Sequence, residues 1–190
     1  MQQEMSAAAL RQYSADELLE LFSTLEAPAI SEMDGEYAAR LLAQPGWIAA
    51  RLGPVAINNP MGRWLCKAFR PVNTDNGRGY NSFRYRGRVI QRYPMQTLVA
   101  PSRFDGGNAY QLVYRHFRSL CGDINMVDEV RRVAPGLYLG IGTWGFTRAQ
   151  RHTPYPFLLE GPEAPYRGDI GRARDHFSIG RREIPALFNS

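Results

Sequence analysis

The sequence has few of the residues that mark redox, metal-binding or exported proteins. It contains two cysteines, Cys66 and Cys121, and three histidines, and neither set has metal or redox spacing. No apolar run approaches the roughly 18 residues of a membrane helix, and the first residues show no basic segment followed by an apolar one. These absences predict reduced, buried thiols, no metal and no membrane span, and they favour a cytoplasmic protein.

Lysine is almost missing from the chain. Lys67 is the only lysine among 23 basic side chains, and the net charge is +5. The arginines are spread along the chain, and the densest group lies at even spacing on a predicted hairpin: Arg84, Arg86, Arg88 and Arg92. We interpret this stripe as solvated sheet surface, which argues against nucleic acid as a partner. An arginine-rich module that binds nucleic acid stays open as an alternative.

Sequence signatures of nucleophilic enzymes and of phosphate-binding loops are missing as well. The run from Gly140 to Gly145 has the spacing G-x-G-x-x-G of a dinucleotide site. That site requires a helix directly after the glycines, whereas this chain continues through Phe146 to Pro154 and Pro156 without a helical period. The match is therefore spurious, and no cofactor is predicted. Glycines in such a strand permit bending or a close approach of another group.

The length of 190 residues fits one domain with a substantial core. We expect a helical segment at 1–46, an antiparallel barrel at 47–160 and a tail at 161–190 packed on the barrel. Residues 14–25 form the clearest helix, because Ser14 and Glu17 complete a capping box ahead of apolar residues at helical spacing. Residues 31–46 fit either a second helix or a first strand, and we favour the helix.

From Trp47 onward the chain consists of short strand-like runs separated by Gly, Pro, Asn and Asp. The candidate strands are Trp64–Arg70, Tyr80–Arg86, Arg88–Tyr93, Gln96–Ala100, Ala109–Phe117, Ile124–Val133, Leu137–Phe146 and Pro156–Glu160. Tight connections without crossover helices exclude a parallel doubly wound fold. They favour an antiparallel sheet closed as a barrel or folded as a sandwich.

The stretch from Cys121 to Phe146 carries most of the candidate chemistry. It reads as two strands joined by a turn at Pro135-Gly136. In the first strand Glu129 and Arg131 share one face, while Asp128 and Arg132 share the other, so one of the two pairs points into a closed barrel. Such a pair is typical of a structural ion pair, and it also occurs at polar ligand sites and in proton transfer.

Several short motifs resemble calycin-type proteins, the lipocalin-like small barrels. Gly35-Glu36-Tyr37-Ala38-Ala39 is similar to the motif of the bacterial GXWXG-type domain, with Tyr37 in place of Trp and Ala39 in place of the last Gly. Residues 62–67, GRWLCK, lie where such proteins carry a Trp-containing strand, and Asp128-Glu129 ahead of the run 135–140 resembles their strand-turn-strand unit. The resemblance covers roughly residues 25–147 and implies a barrel that binds hydrophobic molecules.

These observations together predict an α+β, mostly β chain. We expect an antiparallel lipocalin-like barrel of about 7–9 strands with one or two N-terminal helices, which binds a small apolar or amphipathic molecule. The candidate ligand-binding residues are Tyr85, Tyr114, Arg131, Tyr138 and Trp144, with Glu129 also orienting a polar group. The alternative is an isomerase or cyclase in the same cavity, with Glu129 or Asp128 as acid or base. The sequence does not determine the oligomeric state.

Overall fold

The protein is described here from a computed structural model, which describes residues 5–46, 58–59 and 62–188. Within these ranges, the α-helices with described bounds are α1 (Ala7–Leu10), α2 (Ala15–Thr24) and α3 (Leu120–Asp123). Single 3-10 turns lie at Ile30–Glu32, Tyr114–His116, Gln150–His152 and Pro185–Phe188. The strands are β1 (Gly35–Leu41), β2 (Asn58–Asn59), β3 (Gly62–Pro71), β4 (Asn76–Tyr85), β5 (Arg88–Pro101), β6 (Asn108–Val113), β7 (Val127–Ala134), β8 (Leu137–Thr143) and β9 (Tyr155–Ala164).

Eight of these strands form a closed antiparallel barrel. From β3 to β9 each strand pairs with the next along the chain, and β1 closes the circle by pairing with both β9 and β3. The two-residue β2 adds only to the start of β3. Closure satisfies the backbone groups that an open sheet would leave at its edges. The predicted α+β fold with an antiparallel barrel and N-terminal helices is confirmed.

The barrel wall separates an inner apolar core from apolar clusters on its outside. Directly paired residues of neighbouring strands share a face, so Tyr110, Val130, Gly140 and Phe157 all point inward, where three of them belong to the inner core. On the outside, α1 and α2 pack against β8 and β9 through a second buried cluster. Its members include Leu10, Leu18, Phe22, Leu139, Ile141 and Leu158. Helices α1 and α2 therefore cover the outside of the barrel and do not enter its interior.

Helix α2 begins where its capping signal predicts. The Ser14 hydroxyl accepts a hydrogen bond from the Glu17 backbone N–H at 3.3 Å, and the Glu17 carboxylate accepts one from the Ser14 N–H at 2.7 Å. These bonds satisfy donors that a helix start otherwise leaves free. The following Leu18 and Phe22 are fully buried against the barrel. The capped helix thus presents its apolar stripe to the outer face of the sheet.

The helix favoured over residues 31–46 is wrong. A 3-10 turn lies at Ile30–Glu32, and Gly35–Leu41 form β1. The run of Ala and Leu has good helix propensity, but β1 bonds β9 on one side and β3 on the other. Tertiary pairing overrides a local preference of this size. Tyr37 and Ala39 then point into the inner core.

The ends of the barrel differ. At one end, which we call the plugged end, Ile30 and Met33 are buried in the inner core, and Glu26 bridges Arg132 of β7. We call the other end the loop end. There β1 ends, the β4–β5 hairpin turns at residues 86–87, and the chain from the 3-10 turn Tyr114–His116 through α3 crosses toward β7. Because the plugged end is filled, a molecule would enter the interior from the loop end.

Candidate functional site

The interior of the barrel holds one lysine, the only one in the sequence. Lys67 lies on β3 between Tyr37 of β1 and Asn81 of β4, and only 3% of its surface is exposed. A shift of register between Trp64 and Cys66 interrupts the alternation of β3. Such a bulge turns one residue out of step, and Trp64 and Lys67 accordingly both contact Asn81 inside the barrel.

Lys67 is the centre of what we call the polar cluster: Lys67, Asn81, Tyr114 and Asp128. Its Nζ lies 2.7 Å from Asp128 Oδ2, 2.6 Å from the Tyr114 hydroxyl and 3.1 Å from Asn81 Oδ1. The Tyr114 hydroxyl in turn donates to the same Asp128 oxygen at 2.9 Å. Each of the three ammonium hydrogens therefore has an acceptor, and the buried charge has a counter-charge.

Aromatic rings surround this ammonium group. The ring centroids of Phe157, Trp64 and Tyr114 lie 5.0, 5.2 and 5.3 Å from Lys67 Nζ. These distances fall within the range of cation–π attraction. Trp64 also donates its indole N–H to Asn81 Oδ1 at 3.1 Å. The polar cluster is thus a charged centre inside an aromatic box, a strongly desolvated place for a cation.

Burial keeps two weak acids at this site protonated, Tyr114 of the polar cluster and Cys121 beside it. It raises the pKa of Tyr114 well above the usual value for tyrosine, and the charge of Asp128 raises it further. Burial, again helped by Asp128, raises the pKa of the Cys121 thiol to about 12. Tyr114 therefore acts as a hydroxyl donor at neutral pH, and Cys121 stays a thiol. Neither supplies an anionic nucleophile.

The glycines of β8 make room for parts of this site. A Cβ on Gly142 would lie 3.0 Å from Asp128 Oδ1, and one on Gly140 would lie 2.1 Å from the Phe157 ring. The space that the glycines leave on the inner face of β8 is thus filled by an acidic side chain and an aromatic ring of the same chain. This is the close approach that a glycine inside a strand allows.

The structure brings two of the predicted residues, Asp128 and Tyr114, into the polar cluster. Tyr138 also points inward, but its hydroxyl donates to Glu32 at the plugged end at 2.9 Å. Tyr85 lies at the end of β4 against the guanidinium groups of Arg86 and Arg92. Trp144 follows β8, is 39% exposed and stacks on Tyr155. These three are not assembled with the cluster.

The orientation expected for Glu129 and Arg131 is corrected by the strand register. Glu129 pairs with Ile141 and Arg131 with Leu139, and both of these partners lie in the outer core under the helices. Asp128, in contrast, pairs with Leu112 of the inner core. The inward pair of β7 is therefore Asp128 and Arg132, because side chains alternate and a shift by one residue exchanges the faces.

On the outer face, Glu129 and Arg131 belong to two separate ion pairs, each with a buried guanidinium group. Glu129 accepts hydrogen bonds from the backbone N–H and Nε of Arg103 at 3.0 and 3.3 Å. Arg131 binds both carboxylate oxygens of Asp105 at 2.6 and 2.7 Å and donates to the Phe22 carbonyl at 2.7 Å. These contacts fasten α2 and the β5–β6 loop to the barrel wall.

Two surface depressions lie away from the polar cluster. One of about 550 Å³ is bordered by residues 25–29, Val99 and Arg131, and one of about 510 Å³ by Asp34, Gly35 and residues 162–166. Both are on the outside or at the plugged end. Among the residues that the structure describes, no group of three or more His, Cys, Asp or Glu side chains is placed to hold a metal. Within the same ranges, none of the helices has the length and apolar character to cross a bilayer.

Sequence reasoning missed Lys67, Asn81 and Phe157 as parts of the site. One signal was present, namely that a chain with 23 basic side chains retains a single lysine. Asn81 and Phe157 carry no comparable signal, because an Asn or Phe in a strand is ordinary.

Comparison with known proteins adds little. No protein-family model matches the chain, and no curated protein is significantly similar to it, so the resemblance to the GXWXG-type domain stays a hypothesis. The chain is similar to a solved structure described as a protein from Thermomonospora curvata, with 16% identity and a TM-score of 0.49 over 83% of this chain and 88% of that one. A structural similarity of this size supports no statement about the polar cluster.

Proposed function

We propose that the protein binds a small amphipathic molecule in its barrel, with the polar end of the molecule at Lys67 and Asp128. The observation that carries the proposal is the ion pair itself, whose two side chains are each only 4% exposed. A buried ion pair contributes little net stability, and an apolar pair of similar volume is often at least as stable. A barrel that needed only a filled core would be served as well by apolar residues at these positions.

The cluster defines the chemistry of this ligand. Every hydrogen of the Lys67 ammonium and of the Tyr114 hydroxyl already has an acceptor, so the polar end of the ligand replaces one of these acceptors with an oxygen of its own, such as a carbonyl or carboxylate. The surrounding rings of Trp64 and Phe157 supply apolar contact for the remainder of the molecule. Trp64 is the less buried of the two. We therefore place the entry beside Trp64, at the loop end.

Native mass spectrometry of the protein purified from its own cells tests the proposal. We expect a stoichiometric small-molecule mass that disappears on gentle denaturation. The Lys67→Met variant should lose it, whereas Arg70→Met should keep it, because Arg70 pairs with Asp169 on the outer surface. Equal ligand occupancy in Lys67→Met and Arg70→Met would contradict a lumen site at Lys67.

An isomerase or cyclase remains the second candidate, and one observation favours it. Asp128 Oδ2 is the common acceptor of Lys67 and Tyr114, which is how a carboxylate that exchanges protons with a substrate would be held. Since Glu129 faces outward, Asp128 is the residue to test. Turnover that Asp128→Asn abolishes while ligand affinity is retained would support the enzyme; unchanged turnover would exclude Asp128 as its acid or base.

A further inference from the structure

The choice of cation distinguishes the polar cluster from the two ion pairs on the outer face whose guanidinium groups are buried. Arg103 with Glu129 and Arg131 with Asp105 lie outside the barrel, and both guanidinium groups are at most 1% exposed. Each guanidinium group also donates hydrogen bonds to backbone carbonyls. Arg103 donates to the carbonyl of Arg151, and Arg131 donates to the carbonyls of Phe22 and Gly107. This chain therefore uses arginine where a buried cation only holds the structure together.

Lysine differs from arginine in one chemical respect that matters inside a barrel. A buried lysine can lose its proton, and the resulting primary amine adds to carbonyl carbons, whereas arginine stays protonated. We propose that Lys67 forms an imine with an aldehyde or ketone group at the polar end of the bound molecule. The inference rests on the proposed function, since it requires that the molecule reach the lumen.

The cluster contains the groups that this reaction needs. Lys67 passes one proton to Asp128 at 2.7 Å, and its lone pair then forms the C–N bond while the carbonyl π electrons move to oxygen. Tyr114 gives its proton to that oxygen and takes one from the nitrogen, which yields a carbinolamine. Protonated Asp128 then returns its proton to the hydroxyl group, which leaves as water. The product is a protonated imine paired with the Asp128 carboxylate, so protons and electrons balance.

The rest of the cluster tolerates the departure of the amine from its resting contacts. Asn81 Oδ1 also accepts from the Trp64 indole at 3.1 Å, and Asn81 Nδ2 lies 3.1 Å from the Tyr114 hydroxyl. When Lys67 turns toward a carbonyl, Asn81 and Tyr114 therefore each keep a hydrogen-bond partner. The aromatic box limits water, and limited water favours the imine over its hydrolysis.

Reductive trapping tests the inference with a defined probe. The protein is incubated with octanal and sodium cyanoborohydride, and the modified site is located by peptide mass spectrometry; binding of 1-octanol, which cannot form an imine, is measured in parallel by tryptophan fluorescence. We expect one octyl group on Lys67, with 1-octanol competing. Lys67→Arg should carry label only at the terminal amine, and Asp128→Asn should be trapped at least tenfold more slowly. Near-UV circular dichroism checks that both variants fold.

The outcomes separate the two proposals. If 1-octanol binds but octanal leaves no stoichiometric label on Lys67, the imine is wrong and the lumen-binding function stands. If neither probe binds, both are contradicted for ligands of this size. Location of the label on the wild-type peptide does not depend on any variant, so a variant that fails to fold does not remove the test.

Discussion

The most informative residue of the chain is Lys67. It carries a buried charge whose three hydrogen-bond partners come from β4, from the segment after β6, and from β7. Removing one member of such a network leaves the others desolvated without a partner, which is costlier than never having built the network. The cluster should therefore respond very differently to single and double substitutions.

Asp128→Asn should lower the free energy of unfolding by about 3–5 kcal/mol, because it leaves the Lys67 ammonium buried without a counter-charge. Urea unfolding followed by circular dichroism measures the loss. The double variant with Lys67→Met should recover much of it, since the charge is then removed as well. Asp175→Asn is the matched control, because its pair with Arg118 is exposed on both sides; it should change stability by less than about 1 kcal/mol. A loss no larger than in this control would contradict the account of the cluster.

Among the elements, β7 and β8 decide what lies inside the barrel. β7 carries charges on both faces, and its register with β6 sends Asp128 inward and Glu129 outward. β8 contributes two inward glycines, and the ring of Phe157 lies over Gly140. The two strands thus leave space inside the barrel for the ring of Phe157 and for the carboxylate of Asp128.

Gly140→Ala should destabilise the protein by about 1–3 kcal/mol, because overpacking a filled core forces side chains from their preferred positions. The new Cβ would lie 2.1 Å from the Phe157 ring, so the ring must move away from Lys67. Urea midpoints and the near-UV aromatic signal measure the effect. In Gly180→Ala the nearest atom is 3.6 Å away, so this control should stay within about 0.5 kcal/mol of wild type. Equal midpoints for the two variants would show that β8 does not need the glycine.

At the scale of the whole molecule, carboxylates tie the outer layers to the barrel. Asp105 joins Arg131 beneath α2, and Asp169 of the C-terminal segment joins Arg70 and Arg78 of β3 and β4. Burial alone would raise the pKa of Asp105, but hydrogen bonds from Arg131 and from the Gly107 N–H outweigh it and lower the pKa. The hydrogen bond from Arg70 lowers the pKa of Asp169.

Stability should therefore fall in acid. A carboxyl with a lowered folded pKa contributes its full stabilisation above its unfolded pKa of about 3.9 and loses it as the pH falls through the folded value. Asp105→Asn should be less stable than wild type at pH 7, and the difference should shrink as the pH falls below the unfolded pKa and through the lowered folded pKa of Asp105. Urea unfolding across this range measures the difference; a constant gap between the two proteins would contradict the prediction.

Much of the architecture was predictable from local sequence. The strands were recognised because turn residues separate short runs of strand-forming residues, and Pro135-Gly136 does form the turn between β7 and β8. The site was less predictable. Asp128 and Tyr114 were among the candidates, but Lys67 was not, and the favoured pair Glu129 and Arg131 lies on the outer face.

The sequence by itself determined the kinds of elements and the capped start of α2, because these depend on contacts between residues a few positions apart. It also determined that β7 carries charge on both faces. Only the tertiary structure decided which face is inside, since alternation with a period of two is the same for either choice and register depends on neighbouring strands. The partners of Lys67 lie 14, 47 and 61 residues away along the chain, so barrel closure alone brings the polar cluster together.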